Sequence, residues 1–255
     1  MKKILIALML FVIAGFSGNA DAKLTKIGTV TIGKSYLGES GRGGGMPGMQ
    51  AAAPTSNEYS MIYEDDQGLI WIDYSSGSKE WPDVVSWAKA LNEEGALTIK
   101  LDPGVSVAWN GEWRLPKTVD AARKNGYDGS TTAGFNITSS EMGHLFYMSL
   151  GNVGYYDKQG NVQAGFAGLK NKGSFKNLKE SIYFSGTVYS IYPNHPWHFN
   201  FYYGGQDFTS FTNSYAYPGL AVREGKVVTS SAPEQADMPV LNPKSRRIHD
   251  KHLKY

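Results

Sequence analysis

Arg114 stands in Trp113-Arg114-Leu115-Pro116, where a planar guanidinium could clamp a sulfate or a carboxylate. Set between two core-type residues, it is expected instead to satisfy a carboxylate of its own chain, with Trp113 buried beside it. Arg223, after Ala221 and Val222, reads the same way. His195 and His198 have a spacing that on a helix offers two imidazoles to one metal. Pro196 and the alternation that follows argue for a strand, where positions i and i+3 face opposite ways, so no metal centre is expected. Asp65, Asp66 and Asp73 lie around Gly68, but the EF-hand spacing is not met. Structural calcium stays open.

Catalytic sets fare no better. Cysteine is absent, which removes thiol nucleophiles, disulfides and thiolate-ligated metals together. Glu112, Asp120, Asp128 and Glu141 could serve as paired carboxylates, yet nothing in their spacing singles out a pair. His144 could act as base toward Ser139 or Ser185, but an imidazole beside Leu145 on a helix reads as a satisfied polar residue. The reading is therefore not an enzyme.

The aromatic density between Tyr183 and Tyr217 carries the functional expectation. Flat rings stack on sugar faces or on apolar partner surfaces, and neighbouring amides and acids fix hydroxyls. Phe199 and Phe201 are assigned to the core. His195, Trp197, His198, Tyr202, Gln206, Asp207, Tyr215 and Tyr217 are the ligand-contact candidates, and Trp71, Trp113, Arg114, Glu141 and Arg223 are given structural roles.

These residues need elements to hold them. Leu69 to Tyr74 is a strand rich in β-branched and aromatic residues. Pro82 suits the first turn of a helix, whose apolar stripe is Val84, Trp87, Ala88 and Leu91. A short helix is expected from Thr118 to Gly126. Another opens at Thr138, where Thr138 and Glu141 form a capping box, and Gly151 stops it. Lys23 to Leu37 reads as a β segment. Ile182 to Ser190, Trp197 to Tyr203, Tyr217 to Arg223 and Val227-Val228 form an antiparallel meander. Helices early and strands late, without a βαβ rhythm, make the fold class α+β and loop-rich.

Composition bounds the partners. Lys and Arg total 25 against 23 Asp and Glu, a net charge of +2 that argues against nucleic acid. Lys2 and Lys3, an apolar run from Ile4 to Phe16 and Ala20-Asp21-Ala22 form an export leader over residues 1–22, too short for a membrane span. Cleavage near Ala22 leaves a secreted or periplasmic protein. Residues 23–228 are read as one domain with a Gly/Pro/Ala-rich insertion at 38–57, expected to be a mobile loop, and 229–255 as a disordered tail.

Several segments together resemble one family. Gly68 to Tyr74 is similar to its GLxWLDY opening, Trp113 to Pro116 to its WRLP signature, and Ser140 to Tyr147 to its SEMGHLFY helix. Tyr183 to Thr187 stands where YWSGT is usual, and Leu220 to Arg223 matches LAVR. Order and spacing resemble the Lcl carboxyl-terminal domain family over about Leu24 to Val228. That resemblance implies a C-type-lectin-like fold related to the formylglycine-generating oxidases, a surface or secreted location, and adhesin-like binding of sulfated polysaccharide. The oxidases work through thiols that this chain lacks, and no collagen-like Gly-x-y tract is present. The expected function is a secreted bacterial, non-catalytic module that binds glycan or another surface polymer and needs no cofactor. The alternative is a structural or protein-interaction module of the envelope.

Overall fold

The computed structural model describes residues 23–37, 57–166, 168–209 and 215–230. The leader, the Gly-rich insertion from residue 38 to 56 and the tail from residue 231 onward lie outside the described residues.

Two sheets organise the chain. The larger has six strands: β1 (Leu24–Ile32), β2 (Glu58–Glu64), β3 (Leu69–Ser75), β4 (Leu97–Leu101), β5 (Val105–Arg114) and β11 (Leu220–Thr229). Their spatial order is β4-β1-β2-β3-β11-β5, antiparallel throughout. The smaller holds β6 (Asn125–Gly126), β7 (Ala133–Phe135), β10 (Gly205–Phe208), β9 (Pro196–Asn200) and β8 (Ile182–Val188), in that order. Only β6 and β7 run parallel in it. The fold is α+β, loop-rich and dominated by antiparallel sheet.

The period of two along a strand divides the interior into two cores. On β3, Ile70 and Ile72 join one core, while Leu69 and Trp71 join the other. Ala221 and Val222 of β11 part in the same way, as do Phe184 and Tyr183 of β8. Both faces of β3 are thus covered, and its sequence runs apolar without interruption. The first core is closed by helix α1 (Trp81–Ala90), through the expected Val84, Trp87, Ala88 and Leu91. Pro82 lies in its first turn, with Asp83 there and Lys89 in the last turn, both favourable to the helix dipole. The second core is closed by Phe146, Phe199 and Phe201, whose rings contact one another at 5.2–5.9 Å.

The structure departs from the sequence reading in four places. The late strands form no single meander: β8 and β9 pair in the smaller sheet, whereas β11 pairs with β3 and β5 in the larger, because its two faces are covered by different cores. No helix forms from Thr118 to Gly126, whose extended chain ends in β6. Strands are not confined to the end of the chain, because β1 to β5 supply most of the larger sheet. Helix α2 (Glu141–His144) is capped by Ser140, whose hydroxyl accepts from the Gly143 amide at 3.1 Å, and not by Thr138. The Glu141 carboxylate, instead of reaching back to Thr138, is taken by the Arg114 guanidinium fork and the Lys117 amide. A π-helical turn (Leu145–Ser149) continues α2, and Gly151, with φ 61°, follows the stop at Leu150 as expected. No helix among the described residues is long and apolar enough to cross a membrane.

Candidate functional site

The π-helical turn brings His144 and Ser149, five residues apart, onto one spot: the Ser149 hydroxyl lies 3.3 Å from His144 Nδ1. Glu64, the last residue of β2, meets them from the sheet. Its carboxylate is completely buried; one oxygen lies 2.9 Å from His144 Nδ1 and also accepts the Ser149 hydroxyl, and the other accepts the Trp71 indole N–H at 2.8 Å. Asp66, in the turn before β3, lies 3.0 Å from His144 Nε2. With a carboxylate at each ring nitrogen, the protonated imidazole can donate to both, and the site favours that form. The hydrogen bond to Glu64 raises the His144 pKa against the opposing effect of burial, with the charges of Glu64 and Asp66 adding to the rise. An imidazolium with both nitrogens engaged cannot serve Ser149 as a base, so the set cross-links β2, the following turn and α2. Glu64, Asp66 and His144 are also the group of donors, among the described residues, close enough to share a cation. Asp65 and Asp73, weighed with Asp66 for calcium, do not join them. Asp65 accepts from the Lys23 amide, and Asp73 accepts from the amides of Lys176 and Asn177.

Arg114 is committed internally. Its guanidinium bonds both oxygens of Glu141 at 2.8 Å, Glu224 at 2.9 Å and the Leu115 carbonyl at 3.2 Å, which engages all four N–H groups of its two terminal nitrogens. The Lys117 amide adds a 2.7 Å bond to Glu141. The fork that would clamp an external anion is taken by these two carboxylates. Arg223 lies over the Trp109 ring at 4.8 Å, Trp113 is buried, and Trp71 is completely so.

The eight contact candidates separate. Trp197 has no exposed surface, packs in a small core with Ala133 and Tyr189, and donates to Asp120 at 3.0 Å. Gln206 is buried and donates to the Thr132 carbonyl. Neither offers a face to a ligand, because their positions on β9 and β10 point inward. Burial pushes the His198 pKa down to about 4 despite the nearby Asp207, so it is neutral at neutral pH. Asp207 is held by Arg123 through two bonds of 2.7–2.8 Å. His195 is half-buried, in ring contact with Tyr192 and Phe208. Tyr202 and Tyr215 are exposed, and half-buried Tyr217 stacks on Tyr215 at 5.8 Å.

Tyr202 belongs instead to a run of seven rings that the chain assembles from five separate places. Tyr127 stacks on Phe135, 13° from parallel, and both meet Tyr156 edge-on at 4.8–5.1 Å. Tyr156 touches Tyr155 at 4.7 Å, which meets Phe166 at 5.1 Å and Tyr203 at 5.4 Å. Phe166 stacks on Tyr203 at 5° and meets Tyr202, and Tyr202 touches Tyr203 at 4.6 Å. None of the seven is buried, and Tyr127, Tyr202 and Tyr203 are 38–41% exposed.

Side-chain amides fix the loops that carry this ledge. Asn136, in the left-handed region at φ 58°, donates to the carbonyls of Tyr127 (2.7 Å) and Tyr156 (3.0 Å). Gln163 donates to Gly154 and Tyr156, and Asn200 accepts from the amides of Tyr202 and Tyr203. The Tyr147 hydroxyl donates to Gly204 and accepts from Asn136. A cleft of about 430 Å³, lined by Asn152, Val153, Gly165, Gly168, Lys170 and Asn171 among others, adjoins the Phe166 end. Tyr127, Phe135, Tyr155, Tyr156 and Phe166 carried no expectation from sequence. The available signal was aromatic pairs beside Asn and Gln in loops, but nothing in the linear order says that these loops meet.

No family model matches the chain, and neither a curated protein nor a solved structure matches it.

Proposed function

We propose that this protein is an exported, non-catalytic binding module that recognises a glycan or another surface polymer, on a C-type-lectin-like scaffold of the kind its Lcl-like motifs suggest. The observation that carries the reading is the ledge: seven contiguous rings, none buried, on loops pinned by amides. Leaving that much aromatic surface in water is unfavourable unless something covers it, and rigid rings give contact area at low entropic cost. The absence of catalysis is supported by the chemistry already accounted for: His144 is doubly engaged, His198 is half-buried with its pKa pushed down to about 4, and the Arg114 fork is taken by Glu141 and Glu224.

The test is a glycan array and titration of the full chain against Tyr202→Ala, Tyr203→Ala and Tyr127→Ala variants. Central aromatic contacts commonly contribute about 2 kcal/mol or more, so loss of affinity beyond roughly tenfold is expected for Tyr202 or Tyr203 at unchanged melting temperature. Binding that survives replacement of all three tyrosines would remove the ledge from the site. Silence across the array, with capture of a protein that the tyrosine variants fail to capture, would move the ledge to the protein-interaction reading.

A further inference from the structure

The outer edge of β5 is unguarded from Val105 to Gly111; only beyond that does the Asn92 side chain cap the Trp113 amide and carbonyl, at 2.8 and 2.9 Å. Sheet edges are ordinarily blunted by charge, proline or a bulge, because a row of free amides and carbonyls recruits another strand. At the opposite edge β4 has five residues and places Lys100 within them. β5 has ten, and from Val105 to Gly111 it carries no charge and no proline. Its pairing with β11 is regular from Val105 to Asn110, and among the described residues no strand lies on its other side.

From this we infer that β5 pairs with β5 of a second copy, antiparallel about a two-fold axis at Ala108, joining the two larger sheets into one. Opposed residues in an antiparallel pair share a face, so the centre must fall on a residue for the half-buried Val107 and Trp109 to stay on their own side. Centring on Ala108 sets Val107 opposite Trp109 twice, a favourable β-branched–aromatic pair, and Ser106 opposite Asn110 twice. Trp109 is held in place for the pairing by Arg223 over its ring. The inference is independent of what the ledge binds, and two ledges on one assembly would gain avidity for a repeating polymer.

The cysteine-free chain permits a direct test. In the proposed register Ala108 faces Ala108 at the Cα separation of an antiparallel pair, within disulfide reach. Ala108→Cys is expected to oxidise to a covalent dimer, Ser106→Cys and Asn110→Cys alone are not, and an equal mixture of those two cross-links. In sedimentation velocity the unmodified full chain is expected to dimerise with concentration. Ala108→Lys and the double variant Ser106→Lys/Asn110→Lys weaken the dimer by about tenfold or more, through like charges placed opposite. Ser106→Glu/Asn110→Lys retains it. All three positions are exposed, so folding is checked by an unchanged melting temperature. A full chain that stays monomeric at its highest soluble concentration, or a dimer indifferent to Ala108→Lys, overturns the proposal. Cross-linking in another register does so as well.

Discussion

Replacing Glu64 by alanine should be among the most damaging single changes in this protein. The carboxylate has no exposure and serves three donors: the indole of completely buried Trp71, the Ser149 hydroxyl and the His144 cation. Breaking a buried ion pair on one side costs about 3–5 kcal/mol, and the orphaned indole N–H is part of that loss. For a domain of this size that is a fall in melting temperature of roughly 10–15 °C. Glu64→Gln keeps the shape and the Trp71 acceptor, and its amide can donate to Ser149 and to a neutral His144, so about 1–2 kcal/mol is expected. The pH dependence separates charge from shape. His144 has a folded pKa above its unfolded value of about 6.5, so its contribution is complete below that pH and is lost as pH climbs through the raised value. Urea denaturation followed by tryptophan fluorescence at pH 6 and pH 9 reads this out. The unmodified chain should lose stability at the higher pH, while Glu64→Gln should be much flatter. An alanine variant within about 1 kcal/mol of the parent would refute the account, because the smallest term invoked exceeds that.

His198 should act in the opposite sense. Its pKa is lowered to about 4, so the unfolded chain binds the extra proton as pH falls from about 6.5, and stability declines toward acid. His198→Phe should remove that decline in denaturation midpoints between pH 4 and 7. Arg114→Met leaves Glu141 and Glu224 without their guanidinium and should cost about 2–3 kcal/mol in urea titrations, and Arg114→Lys should not restore it because a point charge cannot fork. Gly134→Ala would drive a methyl group into the Gly126 carbonyl at φ 108°; it should cost more than about 2 kcal/mol by thermal melting and disturb Phe135 of the ledge. Asp207→Asn should lose only about 0.5–1 kcal/mol, since the Arg123 pair is more than one-third exposed, and the difference should shrink in high salt.

What could be read in advance was what short-range chemistry dictates. The apolar run of β3, the stripe of α1 with its Pro82, and the Gly151 stop follow from periodicity and backbone preference alone. Arg114 could be assigned an internal carboxylate from its neighbours, but its partners, Glu141 and Glu224, lie 27 and 110 residues away and are set by the meeting of β5, α2 and β11. The cap moved from Thr138 to Ser140 for the same reason, because the Arg114 fork and the Lys117 amide, both distant in sequence, take the Glu141 carboxylate. β4 and β5 were legible too, since Leu97-Thr98-Ile99-Lys100-Leu101 and Val105-Ser106-Val107-Ala108-Trp109 alternate with a period of two, although no strand was expected there. Trp197 illustrates the limit at the site: its strand pattern is clear, but which face turns inward depends on what packs against it. The ledge is non-local in its entirety.

The order of the larger sheet carries a consequence for synthesis. The latest of the described strands, β11, lies between β3 and β5, and among the described residues β5 pairs with the rest of that sheet through β11 alone. Until a ribosome has made about nine-tenths of the polypeptide, β5 has no strand to pair with and β3 keeps a raw flank. Completion of the domain is therefore an all-at-once event dominated by distant pairings, which slows it. On the export reading proposed above, in which the chain threads a narrow channel before it folds, a keystone laid last serves it well.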